Sequence, residues 1–184
     1  MVQPFFVALL GICLGAGSWQ LIVWLGENRD KSRKYKAACD CALQKNKPLL
    51  VAGGPWGARP YRRWLRFPAH GGGDVCLDIN SNAIAGHPNG VVAGVTDIPF
   101  ADKCFGAAFA SHLLEHLSST EDARKALAEL HRVAEEVFIV YPSRQSIAGW
   151  IIPDHHIWVW QKDSTTYFQQ RGKPGDKSKE EYHN

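Results

Sequence analysis

An uncharged apolar stretch near the N-terminus, from Pro4 to Leu25, constrains the fold of this chain most. At ~1.5 Å rise per residue, a helix over this stretch reaches ~33 Å, enough to cross a hydrocarbon core of ~30 Å. A cleaved signal peptide is the alternative, but no basic segment precedes the stretch and its apolar run is long for a signal peptide. The sequence therefore predicts a transmembrane helix over residues 1–26.

Positive charge follows the apolar stretch directly. Between residues 27 and 36 the acids are Glu27 and Asp30, and the more numerous bases are Arg29, Lys31, Arg33, Lys34 and Lys36. By the positive-inside rule, this excess predicts a single-pass membrane protein whose C-terminal domain lies on the cytoplasmic side, or on the equivalent side of an organelle or virus. Residues 27–46 are expected to form a basic helical connector. It either lies on an anionic leaflet or, as we prefer, is solvated.

The apolar stretch also carries a spacing that favours helix association. Gly11 and Gly15 form a G-x-x-x-G pair, which lets a second helix approach closely. Glycine is common in membrane helices in any case, so the spacing has a plain explanation as well. We expect the membrane and, through these two glycines, a protein partner to contact this helix.

Composition limits the class of the remaining chain. A length of 184 residues suits one domain plus an extra segment, and a hydrophobic fraction of 45% is ordinary for a folded core. A net charge of +3 is too small to indicate nucleic-acid binding. Five cysteines without regular spacing argue against a disulfide framework and for a reducing compartment. We expect a globular domain over residues 47–172 and a polar tail over 173–184.

The most specific pattern in the domain is the stretch Ile98–Leu117, which reads IPFADKCFGAAFASHLLEHL. Ala107–Ala110 is a short apolar run, typical of a parallel strand that is buried on both faces. The chain then turns polar where such a strand reaches its carboxyl end, the edge at which open α/β sheets bind ligands. His112, Glu115 and His116 also match an H-x-x-E-H zinc pattern. That pattern needs a long helix and a further carboxylate, whereas this one follows a strand, so we assign no metal.

The same stretch resembles the class I S-adenosylmethionine-dependent methyltransferases, in their branch of small, variable domains. There, a loop of the form LPF-x-D-x-x-F-D leads into a buried strand that ends in an HxLEHL turn. Ile98–Phe100 stands for LPF, Asp102 for the loop acid, Phe105 for the following phenylalanine and His112–Leu117 for the turn. The resemblance implies a trimmed doubly wound, Rossmann-like α/β sheet behind the transmembrane helix, with S-adenosylmethionine as its cofactor.

The resemblance also implies which residues hold the cofactor. A strand over Leu49–Ala52 is followed by glycines, of which Gly53 and Gly57 would cradle the methionine part. Asp78 lies about twenty residues beyond this loop, where dinucleotide folds and methyltransferases place an acid for the ribose hydroxyls. A second interpretation of Asp78 is a strand-end aspartate that caps a helix over Asn80–Ala85.

Histidines are the candidates for proton transfer, because their ordinary pKa lies near neutral pH. His112 would orient or deprotonate the methyl acceptor. His116, His155 and His156 either converge with it at one site or have ordinary hydrogen-bonded roles.

Several positions depart from the family pattern. Val51 stands where the first strand usually ends in an acid, and Pro55 stands at the middle glycine of the loop. Gly94 replaces the acid directed at the adenine amine, and Gly106 replaces the aspartate after the conserved phenylalanine. These departures favour a catalytically impaired subunit of a membrane complex. The alternative is an active methyltransferase whose acceptor is associated with the membrane.

Three further expectations concern the ends of the domain. A helix over Ala58–Phe67 would place four arginines on one face, either solvated or in contact with lipid phosphates or an acidic partner: Arg59, Arg62, Arg63 and Arg66. A last helix is expected over Ser164–Arg171. The tail is expected to be disordered or draped on a partner, which leaves the antiparallel hairpin that usually completes the family's sheet short or missing.

Overall fold

The computed structural model describes residues 4–54, 70–172 and 179–183. The first element, α1 (Pro4–Gln44), is a single helix of 41 residues, about 60 Å long. The predicted transmembrane helix and connector are therefore one continuous element. In the described part of the chain, α1 is the one helix with the length and apolar composition to cross a membrane, and its most apolar window has no buried residue.

The centre of the domain is a parallel sheet of five strands. The strands lie side by side in the order β3-β2-β1-β4-β5. The chain runs from the central β1 to β2 and β3 on one side, and then crosses to β4 and β5 on the other side. This reversal is the doubly wound arrangement, and it confirms the predicted fold class. Every residue of β1 and β4 is buried, as their apolar runs predict. The strands are β1 (Leu49–Ala52), β2 (Val75–Asp78), β3 (Gly90–Val92), β4 (Phe105–Ser111) and β5 (Ala134–Val140).

One face of the sheet is covered by α2 (Thr120–Val133). Ser119 caps this helix, because its side chain accepts a hydrogen bond of 3.0 Å from the backbone N–H of Asp122. The buried residues of α2 recur at helical spacing and face the sheet: Ala123, Ala126, Leu127, Leu130 and Val133.

The opposite face is covered by the C-terminal half of α1. Ala38 and Ala42 are 0% and 4% exposed and pack against residues of β1 and β4 that include Val51 and Phe109. The preferred expectation of a solvated connector is therefore wrong for this side of the helix. Small side chains one turn apart let the helix lie close to the strands, so the connector forms part of the core.

A second sheet of three antiparallel strands packs beside α2: β6 (Ile157–Lys162), β7 (Thr165–Gln170) and β8 (Lys179–His183). Two expectations are corrected here. The predicted helix over Ser164–Arg171 is β7, and residues 179–183 of the predicted disordered tail pair with it. The antiparallel strands expected to be short or missing are thus present, in a sheet of their own. Phe168, fully buried in β7, joins them to the core.

The direction of α1 relative to the sheet follows from its polar contacts. Nζ of Lys34 donates to the carbonyl of Ile139 near the end of β5, at 3.0 Å. Further towards the N-terminus, Oε1 of Glu27 accepts a hydrogen bond of 2.8 Å from the N–H of Ser143, just beyond β5. Since α1 runs antiparallel to the strands, its apolar N-terminal part projects past their carboxyl ends.

A short helix, α3 (Ile147–Ile151), lies beside this projecting part of α1. The amide of Gln20 joins the two elements, because it donates to the carbonyl of Gln145 at 3.0 Å and accepts from the N–H of Ile147 at 2.9 Å. Gln20 belongs to the predicted transmembrane stretch. The domain is therefore bound to α1 at a level inside that stretch.

Candidate functional site

Three of the predicted site residues meet at the carboxyl edge of the sheet. Gly53 follows β1, Asp78 ends β2 and His112 follows β4. Strand β1 lies between the other two, with Ala52 in register with both Leu77 and Ala110. Other predicted residues lie outside the described part of the chain: Pro55, Gly57, Arg59, Arg62, Arg63 and Arg66.

Asp78 is bound to the backbone of the loops on either side of it. Its Oδ2 accepts a hydrogen bond of 2.7 Å from the N–H of Gly54, and its Oδ1 accepts one of 2.7 Å from the N–H of Asn80. Asn80 in turn caps a 3-10 turn over Ser81–Ala83, where a longer helix was expected. The contact with Asn80 supports the interpretation of Asp78 as a residue that stabilises the start of this segment, although the cap itself is Asn80.

The same two loops lie directly against one another. A Cβ atom on Gly54 would come within 2.3 Å of the carbonyl oxygen of Ala83, so only glycine allows this approach. Gly53 has φ of +87°, in the left-handed region that glycine adopts readily. Each oxygen of Asp78 accepts one of these backbone bonds and keeps a second acceptor position, so a ligand at this edge would share the carboxylate with the two loops.

His112 occupies a strained position at the end of β4. Its φ of +51° lies in the left-handed region, which is uncommon for residues other than glycine. Its backbone N–H donates to the carbonyl of Val140 at 2.9 Å, which ties the turn to β5. Its Nδ1 lies 3.2 Å from Oε1 of Glu115, and this contact fixes the ring with Nε2 directed away from the carboxylate. An imidazole oriented by a carboxylate is suited to accepting a proton.

Glu115 is the centre of a histidine cluster that the sequence did not resolve. The residue lies in a 3-10 turn over Leu114–His116 and is only 1% exposed. One ligand atom from each of Glu115, His116 and His155 lies within 4.8 Å of the other two. The rings of His116 and His155 have centroids 4.7 Å apart.

One backbone hydrogen bond holds this cluster together, and burial keeps one of its rings uncharged. The backbone N–H of His156 donates to the carbonyl of Glu115 at 2.7 Å, which holds the later loop against the turn. Burial lowers the pKa of His155 below its ordinary value, so its ring is neutral near pH 7. Of the four histidines considered from sequence, three therefore surround Glu115, whereas the exposed His156 contributes its backbone.

The loop that carries the most specific motif is held by α2. Arg132 donates to the carbonyls of Ile98 and Phe100, both at 2.8 Å, and forms an ion pair of 2.8 Å with Asp102. Glu129 accepts from the N–H of Ile98 at 2.9 Å and also pairs with Arg132. The loop acid of the motif is thus used to fix the loop. Sequence reasoning missed Arg132 and Glu129, although their spacing of three residues places them on one face of a helix.

Comparison with known proteins gives a match in sequence. Residues 60–137 match a family described as "Methyltransferase domain". No curated protein matches the chain.

Solved structures resemble the chain at low sequence identity. A S-adenosylmethionine-dependent methyltransferase from Clostridium acetobutylicum is 12% identical, with a TM-score of 0.42, over 74% of this chain and 61% of its own length. A protein from Pyrococcus horikoshii is 12% identical, with a TM-score of 0.42, over 84% and 74%. A 1,6-didemethyltoxoflavin-N1-methyltransferase from Burkholderia thailandensis is 12% identical, with a TM-score of 0.41, over 93% and 71%.

The chain therefore spans less than two thirds of the length of the Clostridium protein. Its described strands follow the doubly wound order independently of these likenesses. In the sequence of residues 60–137 and in the order of its parallel strands, this protein is methyltransferase-like.

Proposed function

We propose that this protein is a membrane-anchored, methyltransferase-like subunit with impaired catalysis that serves as an accessory part of a membrane complex. The observation that carries the proposal is the engagement of Asp78, the candidate ribose ligand, by the N–H groups of Gly54 and Asn80 at 2.7 Å each. A carboxylate bound in this way stabilises the domain by itself. A cofactor hydroxyl would have to share these oxygens with the two backbone N–H groups.

The departures from the family pattern support the same proposal. Gly106 stands where the family has an aspartate, and it lies against α1 in the core. In the family this position helps to hold the cofactor loop, whereas in this chain it makes the close contact with α1. Gly94 and Val51 add two further positions without the family's acid, and Val51 is fully buried.

The placement of the exposed apolar residues supports membrane anchoring and indicates an orientation. The N-terminal part of α1 is apolar and exposed, and it projects from the carboxyl edge of the sheet. At that level, α3 exposes 50% of Ile147, 57% of Trp150 and 71% of Ile151. We infer that α3 lies in the membrane interface and that the edge carrying Asp78 and His112 faces the bilayer.

An active methyltransferase that acts on a membrane-associated acceptor is the second candidate. It is favoured by His112, whose ring is oriented by Glu115 at the same edge. In this reading S-adenosylmethionine is the methyl donor, Gly53 and Gly57 cradle its methionine part and Asp78 holds its ribose. His112 would accept the proton of the methyl acceptor.

Calorimetric titration of the full-length protein in lipid nanodiscs with S-adenosylmethionine and S-adenosylhomocysteine separates the two candidates. The full chain is needed because Ala38 and Ala42 of α1 belong to the core. The absence of binding by the folded protein is the expected result. Micromolar binding, about −8 kcal/mol, would overturn the proposed impairment and leave the active methyltransferase.

The accessory role requires a partner for α1. Among the described residues outside the helix's own backbone, a Cβ atom on Gly11 or Gly15 would meet no atom within 4 Å, so this surface of α1 has room for a leucine at either position. We expect Gly11→Leu with Gly15→Leu to release the protein from its complex in mild detergent. Gly17→Leu is the matched control, since it is equally open but about 200° away from Gly15 around the helix. Retention of the complex by the double variant would contradict this part of the proposal.

A further inference from the structure

We propose that Glu115, His116 and His155 form a binding site for a divalent transition-metal ion, with zinc the best match to their donor atoms. One carboxylate oxygen and two imidazole nitrogens are the three-residue donor set of open zinc sites, in which water or a substrate takes the fourth position. The site does not depend on S-adenosylmethionine, and it goes beyond the proposed function of the domain.

The distances suit one ion. The three candidate ligand atoms all lie within 4.8 Å of one another. Around a tetrahedral zinc ion, with ligand bonds of about 2.0–2.1 Å, ligand atoms are roughly 3.3 Å apart. Binding one ion would therefore draw the three side chains together by at most about 1.5 Å from their present separation.

Each histidine is held by a second contact of the kind found around metal ligands. Nδ1 of His116 lies 3.1 Å from the carbonyl of Asp154, and Nδ1 of His155 lies 3.4 Å from the carbonyl of Gly149. A ring that donates through Nδ1 to a carbonyl has its lone pair on Nε2, so the tautomer needed for metal binding is already selected.

The carboxylate supplies the independent observation. Glu115 is 1% exposed, and within the described part of the chain its Oε2 is buried and has no hydrogen-bond partner. A buried carboxylate oxygen without a partner is costly, since it has lost water and gained nothing in return. The other oxygen, Oε1, is held by His112 at 3.2 Å. A cation between Oε2 and the two rings would satisfy this oxygen.

This donor set differs from the H-x-x-E-H pattern of the sequence. His112 does not belong to the group of three, because its Nδ1 contacts the carboxylate that would bind the ion. His155, from the loop after α3, takes its place. His116 is exposed, so solvent reaches the open fourth position.

Metal binding is tested on the full-length protein in nanodiscs, purified without a histidine tag and stripped with a chelator. Titration with Zn²⁺ against a chromophoric chelator, and native mass spectrometry, give affinity and stoichiometry. We expect one ion per chain, and binding at least tenfold weaker in Glu115→Gln and in His155→Ala. His156→Ala is the matched control, because His156 is adjacent but its ring is exposed and lies outside the group.

Two results would overturn the proposal. One is the absence of binding of Zn²⁺, Co²⁺, Mn²⁺ or Ni²⁺ by the folded wild-type protein. The other is an equal loss of affinity in His156→Ala and His155→Ala, which indicates non-specific binding. If Glu115→Gln fails to fold, His116→Ala keeps the test decisive, since this exposed ring is removed without opening the core. Circular dichroism of each variant confirms folding before titration.

Discussion

The Cα atom of Ala42 in α1 lies 2.8 Å from the position that a Cβ atom would occupy on Gly106 in β4. In the methyltransferases that the sequence resembles, an aspartate stands at the position of Gly106. Here any side chain would collide with the backbone of a helix, which cannot give way as a flexible side chain can. The glycine is therefore required by the contact between α1 and the sheet.

Restoring the family's acids should have unequal effects on stability at two positions. Overpacking a core typically costs roughly 1–3 kcal/mol, and Gly106→Asp also buries a charge. We therefore expect this variant to lower the free energy of unfolding by more than overpacking alone. Gly94→Asp is the matched control, since the atom nearest to its Cβ would be Oγ1 of Thr96 at 3.8 Å, an ordinary contact. Thermal unfolding followed by circular dichroism measures both. Equal midpoints for the two variants would contradict the close approach of α1.

Asp78 should contribute to stability without any cofactor. Asp78→Ala leaves the N–H groups of Gly54 and Asn80 without their acceptors, and we expect a loss of about 1–3 kcal/mol in the free energy of unfolding. Asp97→Ala, which removes an exposed carboxylate nearby, should change stability by less than about 0.5 kcal/mol. Denaturant unfolding of cofactor-free protein makes the comparison. A neutral effect of Asp78→Ala would mean that the loops do not need this carboxylate.

His70 should make the domain less stable in mild acid. Burial, with a smaller effect of Lys31, lowers the pKa of His70 to about 4, and its ring packs on Phe109 at a centroid distance of 5.0 Å. In the unfolded chain His70 takes up a proton near pH 6.5, whereas in the folded chain its ring stays neutral at that pH. Protonation of His70 therefore does not lower the free energy of unfolding above pH ~6.5. Below that pH the free energy of unfolding falls as the pH drops towards 4, and the loss is about 2 kcal/mol at pH 5.

The replacement His70→Phe separates this effect from other titrating groups, because it keeps an aromatic ring against Tyr35 and Phe109. Unfolding measured at pH 7.5 and at pH 5 should show a smaller loss for the variant than for the wild-type protein. The same pH dependence in both proteins would show that His70 takes up its proton equally in the folded and unfolded states.

The proposed orientation predicts that α3 contacts lipid. Trp150 is 57% exposed at the level of Gln20, so lipids brominated near the headgroup should quench its fluorescence in nanodiscs. Trp150→Phe should lower the total quenching by brominated lipid. Trp158→Phe, which removes a tryptophan only 7% exposed, should lower it less. Equal quenching of the wild-type protein and Trp150→Phe would place α3 outside the interface.

Much of the fold could be predicted from sequence where a local pattern decides the structure. The apolar run of β4 and the Ser119 cap with Asp122 three residues later are signals of this kind. The prediction of a helix over Ser164–Arg171 was wrong. The β-branched and aromatic residues from Thr165 to Phe168 favour a strand, and this local signal was overlooked. The packing of α1 was missed because the bases between Arg29 and Lys36 determined the interpretation of the connector, whereas Ala38 and Ala42 are small residues that give only a weak apolar signal.

The candidate site could be predicted only in part. Gly53, Asp78 and His112 meet because strands of a parallel sheet end at one edge, which is a general rule. The contact of His155 with Glu115 joins residues 40 positions apart through a turn and a loop that local patterns do not place. The bonds of Asp78 to Gly54 and Asn80 depend on backbone geometry, and the two interpretations of Asp78 could not be separated from the residue types alone.

The continuity of α1 has a consequence for biosynthesis. The ribosome makes this helix before the strands of the sheet, and on the proposed topology its apolar half enters the membrane before those strands have been made. The helix face that carries Ala38 and Ala42 then stays uncovered until β1 and, later in the chain, β4 and β5 have been made. The sheet therefore assembles on a helix that the bilayer already holds in place. Folding of this domain becomes an event at the membrane surface, with the lipid-embedded helix as its template.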